Sequence, residues 1–174
     1  MSEDDQLNSG LRQEFEQQFK DQLVRGSQLL NSGKHKEALP LLERAHQLKP
    51  KHYEAALNLG GAYIMAGRFK QAVPILESAA ELHPDEPQLW VNLGAAYLGN
   101  PVLATEDKQQ KALAAFNRAL LLNPFAPNVE YNIGLIHRDR GEIDLAIHAF
   151  KRALSTNPDD ADARHLIERL SNAR

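Results

Sequence analysis

The sequence of 174 residues contains no cysteine, which excludes disulfide bonds, cysteine-ligated zinc and thiol catalysis. Aromatic residues are also scarce, at 6% of the chain, whereas leucine and alanine are abundant. Long aliphatic side chains combined with alanine favour packed helices, since sheets are enriched in aromatic and β-branched residues. The composition therefore suits helix-on-helix packing better than a sheet.

Long apolar runs and a strong charge of one sign are missing as well. The formal net charge is -3, so the basic surface that nucleic-acid binding usually needs is not expected. No apolar run approaches the roughly 20 residues that cross a bilayer. The first ten residues, MSEDDQLNSG, are acidic and lack the apolar region of a signal peptide. We therefore expect a cytoplasmic protein that binds neither nucleic acid nor membranes.

Motifs for catalysis and for cofactor or metal binding do not occur in the sequence. Its seven histidines form no pair at a spacing typical of metal ligands. There is no phosphate-binding loop, no nucleophile elbow and no paired-carboxylate motif. The sequence therefore predicts that the protein is not an enzyme and that it binds no cofactor and no metal.

A repeat is the dominant feature that the sequence does contain. Proline recurs at Pro50, Pro84, Pro124 and Pro158, with spacings of 34, 40 and 34. Alanine recurs at the same spacings, at Ala38, Ala72, Ala112 and Ala146. Glycine recurs at spacings of 34, 34 and 40, at Gly26, Gly60, Gly94 and Gly134. The repeat period is therefore 34, and one copy carries an insertion of six residues between Tyr97 and Ala112.

The third copy carries a complete set of landmarks, which are Trp90, Leu93, Gly94, Tyr97, Ala112, Phe116 and Pro124. This order of residues resembles the tetratricopeptide repeat (TPR), a helix–turn–helix unit of about 34 residues. The resemblance implies antiparallel helix pairs that stack into a right-handed superhelical α-solenoid. We expect repeats at about 19–52, 53–86, 87–126 and 127–160, and a capping helix at 161–172. Residues 11–174 would then form one domain after a disordered tail at 1–10.

Small and special residues have clear roles in such a unit. Glycine and alanine at the recurring positions let helix backbones approach each other closely. Gly33, Gly67 and Gly141 are predicted to end first helices in a left-handed conformation. Pro40 and Pro74 fall early in second helices, and we expect both to face solvent.

Three asparagines occupy the same position in three repeats, at Asn58, Asn92 and Asn132. The family resemblance implies that first helices line a concave groove and that this position faces it. A carboxamide both donates and accepts hydrogen bonds, so it can pair with a peptide backbone of any sequence. The series resembles the asparagine ladder of the O-linked N-acetylglucosamine transferases. The alternative is that each asparagine bonds locally within its own repeat.

The residues beside the asparagines are mostly apolar. Leu57, Val91 and Tyr131 precede them, and they either form an apolar floor for a bound segment or pack between repeats. Arg138 in the fourth repeat adds a basic group that is able to receive an acidic partner, unless neighbouring carboxylates already pair with it.

The implied groove lacks the carboxylate clamp by which many related repeats bind Hsp70 and Hsp90 chaperones, because only its asparagine is present and its lysine and arginine positions are not basic. We therefore expect a protein-interaction module or adaptor that binds a peptide segment of a partner protein. The alternative is a self-associating structural scaffold or assembly factor. For the oligomeric state we expect a monomer or a weak homo-oligomer. The insertion at 99–107 either folds over its own repeat or contacts a partner.

Overall fold

The computed structural model describes residues 3–172, and the side chains of residues 8–101 and 103–172. Nine α-helices and one 3-10 turn make up this part of the chain. The helices are α1 (Glu3–Asn31), α2 (His35–Leu48), α3 (Tyr53–Met65), α4 (Phe69–Leu82), α5 (Pro87–Leu98), α6 (Glu106–Leu122), α7 (Val129–Asp139), α8 (Ile143–Thr156) and α9 (Ala161–Asn172). The 3-10 turn (Pro101–Leu103) lies between α5 and α6.

The helices divide into two compact units, with α1 to α4 before Pro84 and α5 to α9 after it. In the first unit, each helix packs on the next one along the chain. The second unit follows the same order from α5 to α9, with α9 packed on α8. Each unit is thus built from consecutive helix hairpins, which confirms the predicted all-α repeat fold. The helix α9 covers the residues for which a capping helix is predicted.

The first helix begins earlier than the sequence suggested. Residues 3–10 belong to α1, whereas a disordered tail is predicted for residues 1–10. The segment contains no proline and starts with the acidic sequence EDD, which is compatible with a helix N-terminus. Of the residues in this segment, Gly10 has the lowest helix propensity. Residues 1 and 2 of the predicted tail lie outside the described residues.

In every helix pair, a glycine on the first helix faces a large side chain on the second. A Cβ atom added at any of these glycines would lie 2.5–2.7 Å from a carbon of that side chain. The pairs are Gly26 with Leu42, Gly60 with Leu76, Gly94 with Phe116 and Gly134 with Phe150. The four large side chains are fully buried, at 0% exposure. The predicted close approach of the helices is thereby confirmed in each pair.

The turns and the prolines also follow the sequence prediction. Gly33, Gly67 and Gly141 follow first helices and have positive φ angles of 74°, 71° and 72°. Left-handed backbone of this kind is accessible to glycine without a steric cost. Pro40 and Pro74 lie inside α2 and α4, and both are exposed as expected.

The insertion in the third repeat contacts the core of its own unit through Ala104. It starts at Gly99, whose φ of 61° and ψ of -128° are accessible essentially to glycine alone. Ala104 packs against the core formed by α5 to α8, whereas Leu103 is 72% exposed. Thr105 is the N-cap of α6, as predicted, but its side chain makes no capping hydrogen bond. The segment therefore folds back through Ala104 and presents Leu103 to solvent.

Gly94→Ala is expected to destabilise the protein by about 1–3 kcal/mol, because the new Cβ would overlap the buried ring of Phe116. Gly10→Ala is the matched control, since nothing lies within 4 Å of a Cβ at that helical position. It should stabilise α1 by about 0.5–1 kcal/mol. Urea unfolding of both variants measures the two changes. Unchanged stability of Gly94→Ala would show that the Phe116 ring moves aside at little cost.

Candidate partner-binding sites

Asn58 lies on α3 in the first unit, and its carboxamide links two helices. Its Nδ2 donates a hydrogen bond to Oγ of Ser27 on α1, at 2.8 Å. The Ser27 hydroxyl in turn donates to the carbonyl of Leu23, at 2.7 Å. The side chain of Asn58 is half-buried, as is that of Leu57 beside it. One face of this carboxamide therefore serves the packing of α3 on α1, and its Oδ1 is left as an acceptor.

Asn92 and Asn132 lie on α5 and α7 in the second unit, and each makes one local hydrogen bond. Oδ1 of Asn92 accepts from Nε2 of Gln88, at 3.4 Å. Nδ2 of Asn132 donates to the carbonyl of Asn128, at 2.9 Å. Both side chains are half-buried. Among the described residues, the amide group of Asn92 and the carbonyl oxygen of Asn132 have no hydrogen-bond partner, so each asparagine keeps one group for another molecule.

In the second unit, the residues of the predicted apolar floor also pack against the interior of the unit. Val91 packs against the core formed by α5 to α8. The ring of Tyr131 meets the ring of Phe150 edge-on, with centroids 5.5 Å apart. Burial raises the pKa of the Tyr131 hydroxyl, and the nearby carboxylates Asp162 and Asp160 add to the increase. Both Val91 and Tyr131 are half-buried, so each also contributes some exposed surface.

Arg138 is already paired. Its Nη2 lies 2.6 Å from Oδ1 of Asp139, and its Nε donates to the same oxygen at 2.8 Å. A carboxylate of a partner would have to compete with this neighbour, which makes Arg138 a weak basic anchor.

A groove of about 480 Å³ lies between α6, α7 and α8, and sequence reasoning missed it. None of the seven predicted site residues lines this groove. Its lining consists of Asn117, Leu120, Leu121, Glu130, Ile133, His137, Leu145, His148, Ala149 and Arg152. We refer to it below as the α6–α8 groove.

The polar groups of the α6–α8 groove are arranged around a buried carboxylate. Glu130 is 6% exposed, and it forms an ion pair with Arg152, whose side chain is 54% exposed. Burial raises the pKa of Glu130, while Arg152 and His148 act in the opposite direction. His137 pairs with Glu142, with 2.5 Å between Nδ1 and Oε2. The groove thus presents the cation of the Glu130–Arg152 pair to solvent and keeps the anion buried.

The floor of the groove reflects a departure of the fourth repeat from the repeat pattern. In the second repeat, the buried Tyr63 donates its hydroxyl hydrogen to Oε1 of Glu43 in the preceding repeat, at 2.7 Å. The equivalent positions here are His137 and Asn117. The imidazole of His137 pairs with Glu142 in its own repeat, and both His137 and Asn117 line the open space of the groove.

The rim of the groove departs from the pattern as well. Leu121 is 78% exposed and Leu145 is 53% exposed. The positions that correspond to Leu121 are polar in the other repeats, at Gln47, Glu81 and Ser155. Those that correspond to Leu145 are polar too, at Glu37, Gln71 and Lys111. Exposed leucines clustered around a groove are typical of interaction surfaces.

Comparison with known proteins identifies the family. Two tetratricopeptide-repeat models match, one at residues 29–97 and one at residues 127–160, and together they cover more than half of the chain. The chain belongs to the tetratricopeptide-repeat family. No curated protein matches the sequence significantly.

Solved structures similar to this TPR protein show the same fold. A thermophilic TPR protein from Thermus thermophilus has a TM-score of 0.73 and 24% identity, over 89% of this chain and 82% of that one. MamA has a TM-score of 0.71 and 26% identity, over 85% and 83%. A chain of the APC/C hetero-tetramer Cut9–Hcn1 has a TM-score of 0.75 and 24% identity, but only 29% of that chain is covered, against 87% of this one.

The TPR fold supports a protein-interaction or scaffold role in general, and proteins of this family are generally non-enzymatic. Significant matches extend to 163 chains of solved structures, so the fold alone selects no particular partner. Within residues 3–172, no helix is long and apolar enough to cross a membrane. Among the side chains of residues 8–101 and 103–172, no group of three or more histidine, aspartate or glutamate residues is placed to hold a metal ion.

Glu130→Gln is expected to stabilise the TPR protein more at about pH 7 than at about pH 4. Because burial raises the pKa of Glu130, its ionised form destabilises the folded state above that pKa, whereas the protonated form at low pH does not. Glutamine is neutral at every pH and removes this effect. Thermal unfolding at stepped pH gives the difference in Tm between variant and wild type, which should increase with pH. A difference that decreases with pH would mean that the pairing with Arg152 outweighs burial.

Proposed function

We propose that this TPR protein is a non-catalytic adaptor that holds an extended segment of a partner protein against its first helices. The observation that carries the proposal is the state of Asn92 and Asn132 in the second unit. Each is half-exposed at the same repeat position, and each keeps one polar group of its carboxamide without a partner among the described residues. Such groups pair with backbone N–H and C=O groups of a peptide and do not select its sequence.

The surroundings of these asparagines support an uncharged segment as the ligand. Val91 and Tyr131 add partly exposed apolar surface next to them. Arg138 is neutralised by Asp139, and the basic residues of a carboxylate clamp are absent from the corresponding positions of the sequence. An internal stretch of a partner therefore fits better than an acidic chain end such as the one that Hsp70 and Hsp90 offer.

The first unit, taken by itself, has the same two repeat positions, and the carboxamide there has less freedom to bind a peptide. Nδ2 of Asn58 is engaged by Ser27, so only its Oδ1 accepts from a peptide N–H, and Leu57 is half-buried beside it. The proposed partner is a protein, and the net charge of -3 supports neither nucleic acid nor an anionic membrane as the target. The composition without cysteine supports a cytoplasmic location. No cofactor and no metal enter the proposal.

The test uses peptides selected from a displayed random library for binding to the wild-type protein, with affinities measured by fluorescence anisotropy. Asn92→Ala/Asn132→Ala should weaken binding by about tenfold or more, since each lost hydrogen bond contributes roughly 1 kcal/mol. Its Tm should change little, because both side chains are half-exposed.

Asn117→Ala is the matched control. Asn117 is an exposed asparagine on α6, the second helix of its repeat, whereas the proposed site lies on first helices. It should leave the affinity for the selected peptides unchanged. Wild-type affinity in the double variant would reject the proposal. A loss of affinity in Asn117→Ala alone would reject it as well, because the peptides would then occupy the α6–α8 groove.

A further inference from the structure

A second apolar surface of the chain lacks a partner, and it lies on the N-terminal half of α1. The helix has 29 residues, whereas α2, with which it pairs, has 14. Residues 8–18 of α1 are exposed throughout. Leu11 and Phe15 are 56% and 41% exposed, and they lie on the same face as the buried Phe19 and Leu23, at successive intervals of four residues. The apolar stripe of α1 therefore continues beyond the part that its own unit covers.

The helix segment is acidic in sequence, whereas the α6–α8 groove exposes the cation of its buried ion pair. Residues 3–18 contain five acidic residues and one arginine. Among the side chains that line the groove, Arg152 is an exposed cation and His148 is an exposed imidazole, while Glu130, the ion-pair partner of Arg152, is buried. Two copies of the groove facing each other would bring these basic groups together, whereas an acidic helix would complement them.

The dimensions of the two surfaces are also compatible. Leu145 and Arg152 are seven residues apart on α8, which is about 10 Å along the helix. Leu11 and Phe15 are four residues apart on α1, which is about 6 Å. Both side chains thus fit along the groove, in the manner of an amphipathic helix whose apolar face enters an apolar groove.

We propose that the α6–α8 groove of one copy binds the N-terminal half of α1 of a second copy. Leu11 and Phe15 of the second copy lie between the rim leucines Leu121 and Leu145 of the first. Glu14 then approaches the basic side of the groove, because it is the exposed carboxylate next to Phe15. Glu16 is less suited to that role, since it pairs with Lys49 at 2.7 Å.

The proposed contact joins two different surfaces, so each copy offers one groove and one helix. Such a heterologous contact either closes on itself or adds further copies. It goes beyond the proposed peptide binding, because neither Asn92 nor Asn132 lines the groove.

The test is analytical ultracentrifugation of the full chain over a wide range of concentrations. The wild type should self-associate, and higher salt should weaken the association because opposite charges contribute. Leu121→Gln/Leu145→Gln makes the rim of the groove polar. Glutamine already occurs at the equivalent positions Gln47 and Gln71, which are both exposed, so the fold is retained. It should weaken the association by about tenfold or more.

Leu11→Gln/Phe15→Gln alters the helix and should weaken the association to a similar extent. Leu82→Gln is the control, since Leu82 is a 48% exposed leucine on α4, and it should associate like the wild type. Circular dichroism of each variant verifies that its helix content is unchanged.

A mixture of the two double variants is the decisive sample. The groove variant retains an intact helix, and the helix variant retains an intact groove, so the mixture should form complexes that neither variant forms alone. A monomeric wild type at every concentration would overturn the proposal. Normal association of the helix variant would do so too, because the groove would then pair with another surface. A mixture that stays monomeric would exclude the heterologous contact.

Discussion

The close approach of the two helices in each repeat is the constraint on which the rest of this structure depends. A glycine on the first helix leaves room for a fully buried leucine or phenylalanine on the second, and a methyl group would already overlap it. Because interiors are packed to crystal-like density, this contact sets the distance between the helices in every pair. The positions that face outward are then free to vary without disturbing the pair.

The α6–α8 groove shows how such variation creates a surface. The contact of Gly134 with Phe150 keeps the fourth helix pair intact, although His137 and Asn117 replace the tyrosine and glutamate found at Tyr63 and Glu43. His137 and Asn117 line a groove that also contains a buried carboxylate, Glu130. Residues that differ from the repeat pattern thus form a candidate binding site, while the contact of Gly134 with Phe150 keeps the helix pair packed.

Much of the fold was predictable from local sequence. The repeat period, the left-handed glycines, the exposed prolines and the N-cap position at Thr105 each depend on residues near one another in the chain. The start of α1 was misjudged, because polar composition alone does not separate an exposed helix from a disordered segment. The register of Asn92 and Asn132 was visible in the sequence, but their hydrogen-bond partners were not.

The sequence by itself determined the repeat family, the helix pairs and the positions of the small residues. Each repeat has room only for glycine at the same position, so glycine recurs there at the repeat period. Only the tertiary structure decided which polar groups are already satisfied and where open space is left. Asn58 is partly engaged through Ser27, and Arg138 is engaged by Asp139. His137 lines the α6–α8 groove and pairs with Glu142, and that pairing depends on contacts in three dimensions, which no residue spacing encodes.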